Sequence, residues 1–178
     1  MQNASRYESN PHIGVSVQAS AEINLDPTDL RILAELQTDA SVTNERLAES
    51  AHTSPATCLR RVRRLVDAGV IARRVALVDP AKVGVSLTAF VEVTLDRQSA
   101  EATAAFESRA VADPAVRQCH RVAAGPDFML VVQVRDMAAW QSLVQRLFTD
   151  DANVRHVKSF VSTRCAKLDT RVDLPEPR

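Results

Sequence analysis

Between Ser54 and Gly69 the chain sets four arginines, Arg60, Arg61, Arg63 and Arg64, against one acid, Asp67. Guanidinium groups at this density suit one chemistry above others, the gripping of phosphate oxygens and guanine edges through forked N–H pairs. At 100° per residue, Thr57, Arg60 and Arg64 fall on one side of a helix, with Arg61 and Arg63 on its flanks. The other side collects Cys58, Leu59, Val62, Leu65 and Val66 as an apolar stripe. Across all 178 residues the charge is balanced, with 22 basic and 22 acidic side chains, so this positive charge is local. A local cationic stripe is the footprint of a helix that reads DNA rather than of a generally adhesive protein. The competing reading is a solvated amphipathic helix whose arginines pair with nearby acids.

The surrounding elements favour the first reading. Ser54 suits an N-cap, Pro55 the first helical position and Gly69 the left-handed residue after the last turn. Upstream, Asp26-Pro27 opens a helix whose core stripe is Leu30, Ile32, Leu33 and Leu36, with Asp29 near the positive end of the helix dipole. Thr43 caps a short second helix over 43–50, and His52-Thr53 turns the chain into Ser54. Three helices in so short a span, with a tight turn before the last, make a helix-turn-helix. Val70 to Val78 alternates like a strand and is expected to form a wing. The DNA-facing set is then Thr43, Ser54, Pro55, Ala56, Thr57, Arg60, Arg61, Arg63, Arg64, Arg73 and Arg74.

The second half has a different period. Val85–Leu95 reads as a strand with Phe90, Glu92 and Thr94 on one face and Ala89, Val91, Val93 and Leu95 on the other. An Ala-rich helix over 99–112 follows, then strands over 116–123 and 127–134 joined by Ala124-Gly125-Pro126. A helix from Met137 to Phe148, capped by Asp136 and carrying Trp140, precedes a last strand over 154–163. The order βαββαβ is ferredoxin-like, with helices on one sheet face. Nothing in the chain remains to cover the other face, which predicts a dimer through this domain, with Val91 expected at the interface.

Other chemistries find little support. Cys58, Cys119 and Cys165 are odd in number and lack a C-x-x-C spacing, so neither disulfides nor a metal site is expected. The histidines never fall at ligand spacing, and His120 points to the opposite sheet face from Cys119. No motif places a catalytic set, and no cofactor is expected. Residues 1–24 read as a disordered extension with neither an export signal nor a membrane span, so a cytoplasmic location is expected.

Two runs make the pattern specific. LDPTDLRILAELQTDASVTNERLAES, followed by SPATCLRRVRRLVDAGVI and a segment ending Asp79-Pro80, resembles the N-terminal domain of the Lrp/AsnC (feast/famine) transcriptional regulators. The resemblance runs on to about residue 168. It implies an α+β chain with a winged helix-turn-helix over 25–74, a hinge strand over 75–85, a dimerising and ligand-sensing domain over 86–168 and a tail over 169–178. It also implies paired regulatory domains assembled into dimers, tetramers or octamers, acting on double-stranded DNA. In that family a loop reading close to G-x-x-D-aromatic lines an amino-acid effector pocket between subunits. Here the loop is Ala123, Ala124, Gly125, Pro126, Asp127 and Phe128, with its glycine one position late. Phe160, Val161 and Ser162 align with another part of that pocket. Asp127 would take an α-ammonium group. Two alternatives share the plan: an enzyme of the sirohaem decarboxylase type, for which His120, Arg121 and His156 could serve, and an architectural DNA-binding protein without effector.

Overall fold

Three side chains each end a loop and start a helix in the computed structural model, which describes residues 23–175. The Asp26 carboxylate accepts from the backbone N–H groups of Thr28 and Asp29 and caps α1 (Pro27–Thr38). Asp29 answers by accepting from the Asp26 N–H, which completes a capping box. Thr43 caps α2 (Asn44–Ser50) and Ser54 caps α3 (Pro55–Asp67). Between α2 and α3 the turn is made by His52 at φ 53°, a left-handed residue that lets Thr53 N–H reach back to Ala48 C=O. Asn44 Nδ2 donates to Pro55 C=O at 2.9 Å and pins the start of α2 to the start of α3. After α3, Gly69 at φ 73° stops the helix, as its sequence position predicts.

Ile32, Leu33, Leu47, Ala48, Ala51, Cys58, Val62 and Leu65 form the core of this three-helix unit. Two expectations change here. Residues 70–79 form no strand, and the segment continues into a 3-10 turn over Pro80–Val83 capped by Asp79. A strand needs a neighbour to satisfy its backbone groups, and alternation of side chains alone does not supply one. The expected wing and hinge strands are therefore absent among the described residues. The C-terminal segment, expected as a plain tail, packs on this first unit instead. Gln37 donates from Nε2 to Val172 C=O and accepts Val172 N–H at Oε1, while Leu174 packs against the helical core. The first compact unit thus takes in the described residues up to Leu77 and those from Lys167 onward, and residues 78–166 form the second. Residues 1–22 of the expected disordered extension, and 176–178 of the tail, lie outside the described residues.

The second unit follows the βαββαβ order: β1 (Leu87–Leu95), α4 (Ala100–Ala112), β2 (Val116–Arg121), β3 (Phe128–Val134), α5 (Met137–Val144) and β4 (Val154–Val161). A π-helical turn over Gln145–Thr149 extends α5 and accounts for the single longer helix expected to Phe148. The sheet is antiparallel in the order β2-β3-β1-β4. One face is filled by Ala89, Val91, Val93, Leu95, Phe128, Leu130 and Val132 packed against Phe106, Ala110, Leu143, Leu147 and Phe148. Val91 is wholly buried there, so it is a core residue and not the interface residue expected. The alternation along β1 is as expected, but the helices cover the Val91 face, the one expected at the dimer interface. The opposite face carries Phe90, Glu92 and Thr94, and register sets Phe90 beside Val131 on one side and Phe160 on the other. Among the described residues no helix is long and apolar enough to cross a membrane.

Candidate nucleic-acid interface

The four arginines of α3 divide into two pairs. Arg61 turns inward. Its Nη1 donates to Asp26 Oδ2 at 2.5 Å and to Asp29 Oδ1 at 3.0 Å, and its side chain is only 24% exposed. Arg64 Nη2 donates to Asp29 Oδ2 while half of its side chain stays in solvent. Asp29 is fully buried, with both carboxylate oxygens engaged by arginines and one also by the Asp26 N–H. Chiefly the Asp29 backbone N–H, and after it the Arg61 guanidinium, holds the Asp26 carboxyl below the usual carboxylate range. Hydrogen bonds to the Asp26 carboxylate, and after it to Asp29, raise the Arg61 pKa above its ordinary value. This cluster ties α3 to the start of α1, and Asp29 is the residue that reasoning from sequence undervalued. Its helix-dipole role was visible; its grip on arginines 32 and 35 positions away was not.

Arg60 and Arg63 are exposed and make no ion pair among the described residues. They share the outer side of α3 with Ala56, Leu59, Arg64 and Asp67, around a shallow depression. Leu59 stands 42% exposed there, although its position in the apolar stripe predicted burial. The core direction of α3 runs through Cys58, Val62 and Leu65, and Leu59 sits roughly a quarter-turn away from it. Thr57 is half-buried, its Oγ1 accepting from the capping Ser54 Oγ at 2.9 Å. Ser54, Pro55 and Ala56 lie exposed at the helix N-terminus, and Thr43 at the cap of α2. Arg73 and Arg74 are exposed on the irregular segment after α3.

The second expected site is not assembled within one chain. The turn between β2 and β3 holds Ala123, Ala124 and Gly125 in solvent, with Pro126 and Asp127 half-buried. Asp127 fastens this turn to the end of β1: its N–H donates to Val93 C=O, and its Oδ2 accepts from Leu95 N–H at 2.7 Å. Ala124 holds the left-handed φ of 61°. Phe160 and Val161 pair instead with Phe90 and Ala89, and Ser162 N–H donates to Thr88 C=O, near the other end of β1. Along a strand, that separation amounts to about 15 Å. Asp127 and Phe160 of one chain are therefore too far apart to touch a single amino-acid-sized ligand. The cysteines stay apart, and burial together with Glu107 pushes the Cys119 thiol up to about 11. Among the described residues no three His, Cys, Asp or Glu side chains could hold a metal ion.

A three-helix unit with a tightly turned, cationic third helix, followed by a helix-backed antiparallel sheet, defines a two-domain DNA-binding regulator. Residues 25–72 match a winged helix-turn-helix DNA-binding domain, and residues 88–172 the Lrp/AsnC ligand binding domain. The chain belongs to the Lrp/AsnC family of transcriptional regulators. A leucine-responsive regulatory protein of Rhizobium meliloti is 37% identical over 152 residues, 85% of this chain and 97% of its own. The structure of a transcriptional regulator in complex with L-Met from Neisseria meningitidis matches with a TM-score of 0.79 and 31% identity, over 84% of this chain and 97% of that one. A feast or famine regulatory protein of M. tuberculosis complexed with L-methionine matches with a TM-score of 0.73 and 32% identity, over 84% and 99% of the two chains. These relatives are regulators, and this protein is a regulator rather than an enzyme.

Proposed function

We propose that this protein binds double-stranded DNA sequence-specifically as a homodimer or a larger assembly in the cytoplasm, and that an amino acid or close relative tunes that binding. The observation that carries the DNA reading is the outward pair Arg60 and Arg63 on a helix whose inward arginines are already neutralised by Asp26 and Asp29. Arg60 and Arg63 contact base edges or phosphates. Arg64 adds a phosphate contact through the part of its side chain that solvent reaches. Arg61 orients the helix. Thr43, Ser54, Pro55, Ala56 and Thr57 line the approach of the backbone, and Arg73 and Arg74 reach flanking phosphates.

Assembly is supported by the open sheet face, where Phe90 and Phe160 lie side by side and stand 44% and 43% exposed. Such a patch on a sheet with no covering layer fits a second copy of the same face. The effector reading rests on the ligand-binding domain match and on the L-methionine complexes of two relatives. The 123–128 turn of one chain would meet the Phe160-Val161-Ser162 strand end of another, so a ligand between them would favour one assembly over another.

Fluorescence anisotropy of the full chain on its own upstream DNA, across a salt series and with each of the twenty amino acids, tests the whole reading. Specific binding with a steep salt dependence, shifted by one or a few amino acids, is expected. Absence of binding defeats the DNA reading. Binding that ignores the entire panel defeats the effector reading and leaves a regulator without an amino-acid ligand.

A further inference from the structure

An exposed leucine on an ordinary surface means little, because single apolar side chains are scattered over every protein. Leu59 is not on an ordinary surface. It stands on the second turn of α3, on the side lined by Arg60, Arg63 and Arg64, and Ala56 lies exposed one turn before it. Any duplex that Arg60 and Arg63 touch must also lie against Leu59 and Ala56. An isobutyl group pressed on a base-pair edge needs an apolar partner there. The major groove offers one, the C5-methyl group of thymine. Cytosine presents an amino donor and the purines present acceptors or donors, each of which Leu59 would leave unpaired.

We infer that Leu59, backed by Ala56, is a specificity-determining residue that selects thymine through its 5-methyl group, beside the contacts made by Arg60 and Arg63. The inference rests on the DNA reading above and deepens it. The arginines of α3 supply affinity and guanine or phosphate contacts. Leu59 supplies discrimination through the thymine methyl, a group that no guanidinium can hydrogen-bond. The half-exposed state of Leu59 makes the division possible, since its removal takes little from the core formed by Cys58, Val62 and Leu65.

The test uses the full chain and a duplex selected by that chain from a random pool. Each thymine of the bound site is replaced in turn by deoxyuridine, which deletes the methyl group and keeps the base pair. At one or two positions the wild-type protein should bind the uracil duplex about fourfold more weakly, the loss equivalent to one buried methyl-sized group. Leu59→Ala should bind thymine and uracil equally at those positions and unfold at the wild-type temperature. Arg60→Ala should bind both more weakly and keep their ratio. Wild-type binding that is indifferent to uracil everywhere overturns the inference and leaves the DNA reading standing. A Leu59→Ala protein that keeps the thymine preference overturns it as well. So does a change in the oligomeric state of Leu59→Ala, which would put Leu59 against a second copy. Failure to select any DNA overturns the inference and the DNA reading together.

Discussion

The third helix and the open sheet face both present exposed side chains to solvent, but they are finished to different degrees. Helix α3 is a finished tool: it is capped at Ser54, stopped at Gly69 and clamped to α1 by Asp29, so its outer face is fixed before DNA arrives. The sheet face is half of a tool. Its aromatic pair stays nearly half exposed, with Lys158 over the Phe160 ring, and the two parts of its expected ligand site lie at opposite ends of β1. One chain therefore carries a complete cationic helix, whereas the residues of the expected ligand site are split between the two ends of β1. On the function proposed above, a ligand would act on DNA binding through assembly.

The sharpest way to break this comparison is to put a charge on each face of β1. Val91→Asp would bury a carboxylate among Leu130, Ala110 and their neighbours, and should cost more than about 4 kcal/mol and unfold the second unit. Phe90→Asp, one residue away, should leave that unit folded and abolish only its self-association. Circular dichroism and light scattering separate the two outcomes, and a Phe90→Asp protein that stays dimeric would move the interface elsewhere.

Next in size is the clamp. Asp29→Ala should destabilise the helical unit by about 1–3 kcal/mol, because it removes the α1 anchor of Arg64, one of the two carboxylates on Arg61 and half of the capping box. Urea titration of the full chain measures it. The outer and inner arginines should then separate cleanly. Arg60→Ala should weaken DNA binding by roughly 1–3 kcal/mol if it reads a guanine edge, without changing the melting temperature. Arg61→Ala should lower the melting temperature first and DNA binding only as a consequence. Equal effects of the two on stability would erase the distinction between the pairs.

Smaller still is the strain in the β2–β3 turn. Ala124 holds a left-handed backbone that costs an L residue about 1 kcal/mol, so Ala124→Gly should recover up to that amount in thermal unfolding. The smallest effect is acid sensitivity at α1. The Asp26 carboxyl is held below its ordinary pKa, so its contribution to the fold is complete above the unfolded value of about 4. That contribution fades as pH falls through the depressed folded value. Asp26→Asn should remove this part of the fall in melting temperature as pH drops below about 4.

Local signals carried much of this molecule. Caps at Asp26, Thr43, Ser54 and Asp136, the stop at Gly69 and the order of the helices and of the strands after residue 85 could be read from residue types in a row, because each depends on groups a few positions apart. What depended on distant partners could not. The segment after Gly69 has strand-like alternation but finds no ladder, and the C-terminal residues return to Gln37, 135 positions earlier, through a pairing that no local pattern announces. The division of four neighbouring arginines into a clamp and a reading face was settled by Asp29, which lies more than thirty positions upstream of Arg61 and Arg64. Residue types in a row were enough for the helices, the cationic stripe and the alternation of β1. Which arginines remain available, that Leu59 faces outward, and which side of β1 the helices cover are each set by what packs from elsewhere in the chain.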